Sequence, residues 1–141
     1  MQGRRLQVFT AVQIVAVGVL IWLLVTWTTP WNVERYIGTA LAVVGVTFIV
    51  IARYQLGRSF AIRPEAHELV TRGLYSRIRN PIYVFGTVMV AGVIMVLQRP
   101  VWWSVLVVLV ILQTVRARRE ARVLESAFGE AYREYRRKTW F

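Results

Sequence analysis

The chain has 141 residues, is 57% hydrophobic and carries a formal charge of +11. One domain is all this length supports, and a chain both oily and basic reads as a membrane protein rather than a soluble nucleic-acid binder. It has no cysteine, which excludes disulfides, thiolate nucleophiles and thiolate metal sites, and its one histidine, His67, argues against a zinc site built wholly from protein ligands.

In chain order, the first apolar run spans residues 8–27, long enough for a bilayer core of about 30 Å. It exceeds a signal peptide's apolar stretch and lacks a small-residue cleavage site, so a retained helix is expected. Trp22, Trp27 and Trp31 gather toward its far end like an interfacial belt. Gln13 is the one strongly polar residue deep in this run and suits a helix–helix hydrogen bond. A turn at Thr28–Asn32 leads to run two, residues 36–52, in which Gly38 and Gly45 permit close helix contact.

Residues 53–80 form a polar stretch with six arginines against Glu65 and Glu68. A loop this long in a small domain is usually functional. Run three begins at Pro81, a favoured first helical position, and ends near Leu97. Gln98–Pro100 make a turn, and run four covers residues 101–115. Residues 116–138 then read as one amphipathic helix, with Leu124, Phe128, Tyr132 and Tyr135 on one face. The expected fold is therefore all-α: one domain over 1–141, with four transmembrane helices and a C-terminal amphipathic helix.

Charge sets the expected topology. The 53–80 loop and the 116–138 tail each carry a net +4, and Arg4 and Arg5 precede run one, whereas the two intervening turns are nearly neutral. Both termini and the long loop are thus expected in the cytosol. The runs lack ionisable residues in their interiors, which argues against a proton-coupled exporter. The chemistry belongs in the loop and tail.

There the residues form an ordered set. His67, Leu69, Val70, Gly73 and Tyr75 are followed by Arg79, Asn80, Pro81 and Tyr83, and later by Glu120, Leu124, Phe128, Gly129, Tyr132 and Tyr135. This set resembles the isoprenylcysteine carboxyl methyltransferases, in the superfamily that also holds the phospholipid methyltransferases. Residues 53–138 carry the resemblance. It implies an enzyme that moves a methyl group from S-adenosylmethionine to a membrane-partitioned acceptor, with an isoprenylcysteine-like carboxylate, a phospholipid amine or another lipophilic compound as substrate. No Rossmann fingerprint is present, in keeping with that superfamily.

The resemblance implies cofactor contacts from His67, Leu69, Val70, Gly73, Tyr75, Arg79, Asn80, Pro81, Tyr83 and Glu120, with Glu120 and Arg116 nearest the chemistry. Each residue also has a plainer reading. Arg79 suits a carboxylate or an anionic lipid. Tyr75 and Tyr83 suit a sulfonium by cation–π attraction, or are interfacial aromatics. Gly73 is a turn residue, and a lone His67 is often structural. Glu120 lies on the apolar stripe one turn after Arg116, so it offers a ligand contact or an ion pair.

Asn80 replaces the usual His of this pattern, Ala121 replaces a second Glu, and Thr139–Phe141 stand where relatives continue. These departures keep open a non-catalytic membrane protein with the same fold. No metal and no nucleic-acid partner is expected. The expected partners are lipids and a lipophilic substrate, four short helices leave room for a homodimer, and the expected location is a bacterial or archaeal inner membrane.

Overall fold

Asn32 opens the first well-defined helix: its Oδ1 accepts the Arg35 backbone N–H at 3.0 Å, as an N-cap does. The computed structural model describes residues 18, 19, 21, 22, 26, 30–56 and 69–141. Run one, with Gln13, falls largely outside the described residues; the five of its positions that are described are helical. Among the described residues the chain is all-helical, without a strand element.

Helix α1 spans Val33–Leu56, with Glu34 in its first turn and Arg53 in its last, charges that suit the helix dipole. It is longer at both ends than the expected 36–52. Its 24 apolar-rich residues reach about 36 Å, and it is the one described helix long and apolar enough to cross a membrane. Helix α2, Pro81–Leu97, is apolar and shorter, and it ends where Gln98 adopts φ 51°.

These two helices lie antiparallel. Gly38 faces Gly92, Gly45 faces Met89, and Phe48 stacks on Phe85 with ring centroids 4.5 Å apart. A methyl group on Gly92 would lie 2.5 Å from Gly38 O and 2.5 Å from Ala42 N. The two backbones touch because neither carries a side chain there, the packing that holds helices together in lipid. At one end of the pair, Gln98 Nε2 donates to Glu34 Oε2 at 3.3 Å. At the other, Ala52, Val70 and Tyr75 form a small core with Leu56, Leu74 and Ile82, on which the loop rests.

Helix α3, Trp102–Phe128, departs from the expected division at residue 115. It is one continuous helix of 27 residues, about 40 Å, whose apolar first half runs into the charged second half. Its less exposed positions include Leu106, Leu109, Gln113, Ala117, Glu120, Leu124 and Phe128, spaced three or four apart, so one stripe, widened by Thr114, Ala121 and Glu125, serves both halves. The expected single tail helix over 116–138 is therefore corrected. Gly129, at φ 53°, breaks it, and helix α4, Glu130–Lys138, starts anew. The break turns Tyr132 and Tyr135 inward, where they are 2% and 9% exposed.

Candidate functional site

Gly73 opens the 3-10 turn of the loop. Its φ of +61° is left-handed, and a Cβ there would collide with the Gln55 side chain. Gln55, at the end of α1, uses that proximity: its Oε1 accepts the Leu74 N–H at 2.7 Å. The 3-10 turn Gly73–Ser76 that follows places Tyr75 in the core. Val70 is buried beside it, and Leu69 is half-buried. His67 lies outside the described residues.

The tail then closes on this turn. The Tyr135 hydroxyl donates to Tyr75 O at 2.6 Å. Beyond α4, Trp140 pairs with Ile78 in an isolated parallel bridge. Trp140 N–H donates to Arg77 O at 3.0 Å, Arg79 N–H to Trp140 O at 3.1 Å, and Asn80 N–H to Phe141 O at 3.0 Å. The Asn80 side chain makes no capping bond, while its carbonyl accepts the N–H groups of Tyr83 and Val84. Pro81, at the first helical position, is fully buried. The α2 start is thus less open to an anion than the sequence suggests, since the Asn80 N–H is already used by the tail.

One turn into α2, the loop face meets α3. The Tyr83 hydroxyl donates to Glu120 Oε1 at 2.6 Å, and Arg116 Nε lies 3.4 Å from the same oxygen. The Glu120 side chain is 45% exposed, so its Oε2 remains accessible. The carboxylate is shared between the phenol of α2 and the guanidinium one turn before it, so the expected ion pair with Arg116 is present.

Burial has a measurable consequence here. It pushes the Tyr75 hydroxyl well above the ordinary phenol range, and the fields of Tyr135, Glu120 and Tyr83 push the same way. Burial likewise raises Tyr135 to about 12 and raises Tyr132, with nearby Arg79 opposing both shifts. These phenols are neutral hydrogen-bonding groups at physiological pH. Among the described residues, two buried polar atoms in this cluster have no hydrogen-bond partner: Tyr75 Oη and Arg79 Nε. A buried group without a partner costs free energy, so these two atoms mark unused hydrogen-bonding capacity at this end of the helices. No cluster of metal-binding side chains occurs among the described residues.

Tyr75, Arg79, Pro81, Tyr83, Arg116 and Glu120 are thus brought to one end of the helices, while Gly73 and Val70 shape the turn behind them. Gln55 and the Trp140–Phe141 pairing escaped sequence reading. The first had a signal, a polar residue ending an apolar run; the second is backbone pairing, which side-chain identity does not announce.

Among the described residues the fold is all-helical, with one helix long and apolar enough to cross a membrane and polar groups collected at one end of its apolar helices. The model of the phospholipid methyltransferase family matches residues 33–131, more than two-thirds of the chain, and the chain belongs to that family. It is a family of methyltransferases acting on membrane substrates, in accord with the resemblance carried by the loop and tail residues. The match runs from the start of α1 into the first turn of α4, leaving Tyr135 and Trp140 outside it. No curated protein and no solved structure matches the chain.

Proposed function

We propose that this protein transfers a methyl group from S-adenosylmethionine to a membrane-partitioned acceptor. The observation that carries the reading is the Tyr83–Glu120 hydrogen bond, which joins the loop's end to α3 beside the two orphaned atoms of Tyr75 and Arg79. These groups suit the cofactor's parts. Glu120 complements the amino group or ribose, Arg79 the carboxylate, and the Tyr75 and Tyr83 rings the sulfonium. Leu69 and Val70 flank the adenine, with Gly73 supplying the turn; Asn80 and Pro81 hold the strap between loop and helix, and His67 adds a contact from the preceding segment. When bound, S-adenosylmethionine supplies an electrophilic methyl group for in-line displacement by the acceptor. The protein's part is alignment and exclusion of water, with Arg116 steering an acidic acceptor.

In this reading α1, α2, the apolar half of α3 and residues 8–27 cross the inner membrane of a bacterium or archaeon, with loop, tail and both termini cytosolic. The exposed Val105, Val108, Ile111 and Leu112 of α3 then face lipid or a second copy of the chain. Labelled-methyl transfer into fractionated lipid extract tests the activity: a labelled lipophilic product from wild type, absent with Glu120→Ala, is expected.

Two contacts favour a second reading, a non-catalytic protein of the same fold. The Asn80 N–H at the α2 start is taken by Phe141 O, and Arg116 already pairs with Glu120. It predicts no labelled product and no effect of Glu120→Ala.

A further inference from the structure

Above the Tyr83–Glu120 contact, toward the apolar part of the helices, lies a second polar pair. Thr87, one turn beyond Tyr83, places its hydroxyl 2.9 Å from Gln113 Oε1 and 3.0 Å from Tyr83 O. Gln113 sits two turns before Glu120 on the same stripe of α3, about 10 Å along the helix axis. Val110, Ile111 and Leu112 precede it and Thr114 and Val115 follow, so it stands at the edge of the apolar half of α3, where an amide is costly unless its hydrogen bonds are made.

The hydroxyl has one proton, shared between Tyr83 O and Gln113 Oε1, and it meets the amide only at its Oε1 edge. A primary amide also has two N–H donors, and Gln113 Nε2 makes no hydrogen bond within the described protein. That nitrogen faces Gly86: a Cβ on Gly86 would have it as sole neighbour, at 3.7 Å. A helix–helix tether uses the Oε1 edge and leaves the half-buried N–H edge available to a ligand.

We propose that Gln113, oriented by Thr87, is the specificity-determining group for the methyl acceptor, its amide donating to an anionic or ester oxygen in the acceptor's head. This rests on the methyltransferase reading and deepens it. Position supports it: the pair lies between the Glu120 cluster and the apolar helix surfaces. A lipophilic acceptor arriving sideways therefore meets Gln113 with its first polar atoms while its chain remains among apolar side chains. The amide binds oxygen without adding charge to the apolar zone. A carboxylate on a prenylated cysteine and the phosphate or ester oxygens of a phospholipid share this chemistry.

The test compares wild type with Gln113→Leu, Gln113→Glu and Thr87→Val in detergent. S-adenosylmethionine affinity is measured by calorimetry. Labelled-methyl transfer is then measured in two arms, to phosphatidylethanolamine in mixed micelles and to a farnesylated cysteine bearing a free carboxylate. The arm that is methylated identifies the source of the oxygen. In that arm Gln113→Leu and Gln113→Glu are expected to raise the acceptor's KM about tenfold, with cofactor affinity within about twofold of wild type. Thr87→Val, which folds without a polar change on α3, is expected to raise it less. A merely structural pair would lower thermal stability or kcat without this selective rise. Unchanged acceptor KM in the Gln113 variants overturns the proposal, as does an equal loss of cofactor affinity. Cofactor binding with neither acceptor methylated by wild type also overturns it, while sparing the cofactor assignment. Absence of cofactor binding removes both.

Discussion

The Tyr135 hydroxyl reaches back 60 residues to donate a 2.6 Å hydrogen bond to the Tyr75 carbonyl, tying the tail helix to the loop's buried turn. Tyr75 belongs to the segment matched by the family and Tyr135 does not, so a part of this chain outside the match holds the candidate site in place.

Tyr135→Phe removes that donor and leaves a buried carbonyl without it. A loss of about 1–2 kcal/mol in tail docking is expected. Limited trypsin digestion reads it directly, because Arg136, Arg137 and Lys138 follow at exposed positions. Faster cleavage there is expected, with the melting of α1 and α2 little changed.

Burial of the same hydroxyl has a pH signature. Tyr135 is raised to about 12 in the folded protein, against about 10 when unfolded. The folded state therefore holds this proton more tightly. Its stabilisation is complete below pH 10 and is lost as pH rises through about 12. Thermal melts in detergent between pH 8 and 12, as set points, should be flat first and then fall. The fall should be shallower in Tyr135→Phe.

Packing between α1 and α2 admits no side chain at Gly92, where an added methyl would meet the backbone of both Gly38 and Ala42. Gly92→Ala is expected to lower stability by about 1–3 kcal/mol, visible as an earlier melt. A neutral result would mean that the helices separate easily at this point.

Glu120→Gln keeps shape and removes charge, and Tyr83→Phe removes the hydroxyl that holds Glu120. If the carboxylate grips a cationic or hydroxyl group of the cofactor, Glu120→Gln weakens binding about 10- to 100-fold. Tyr83→Phe, acting by positioning, weakens it about tenfold. Calorimetric titration orders the two variants.

The readability of this fold from sequence follows physical lines. The apolar runs of α1 and α2 were legible because lipid-length hydropathy is strong and local, and Glu120 stood out as a carboxylate on an otherwise apolar stripe. The α1 boundaries were less so: hydropathy places the start at residue 36, whereas the cap by Asn32 sets it at Val33. The break at Gly129 carried a signal, since a glycine after Phe128 is an ordinary helix stop, but the charged periodicity on both sides masked it. The Trp140–Ile78 bridge is non-local and made by backbone atoms, so no side-chain pattern could predict it. Thr87 and Gln113 were visible as polar residues within apolar runs; only the crossing of α2 and α3 reveals them as partners.

The methyltransferase reading turns on whether the end of the helices where Tyr83 meets Glu120 receives a sulfonium nucleotide. Isothermal titration of S-adenosylmethionine into folded, detergent-solubilised protein decides it. Saturable binding at one site per chain, lost in Glu120→Ala of equal thermal stability, is the predicted result. Wild type that melts cooperatively yet gives no binding, or Glu120→Ala that binds as wild type does, would contradict the account.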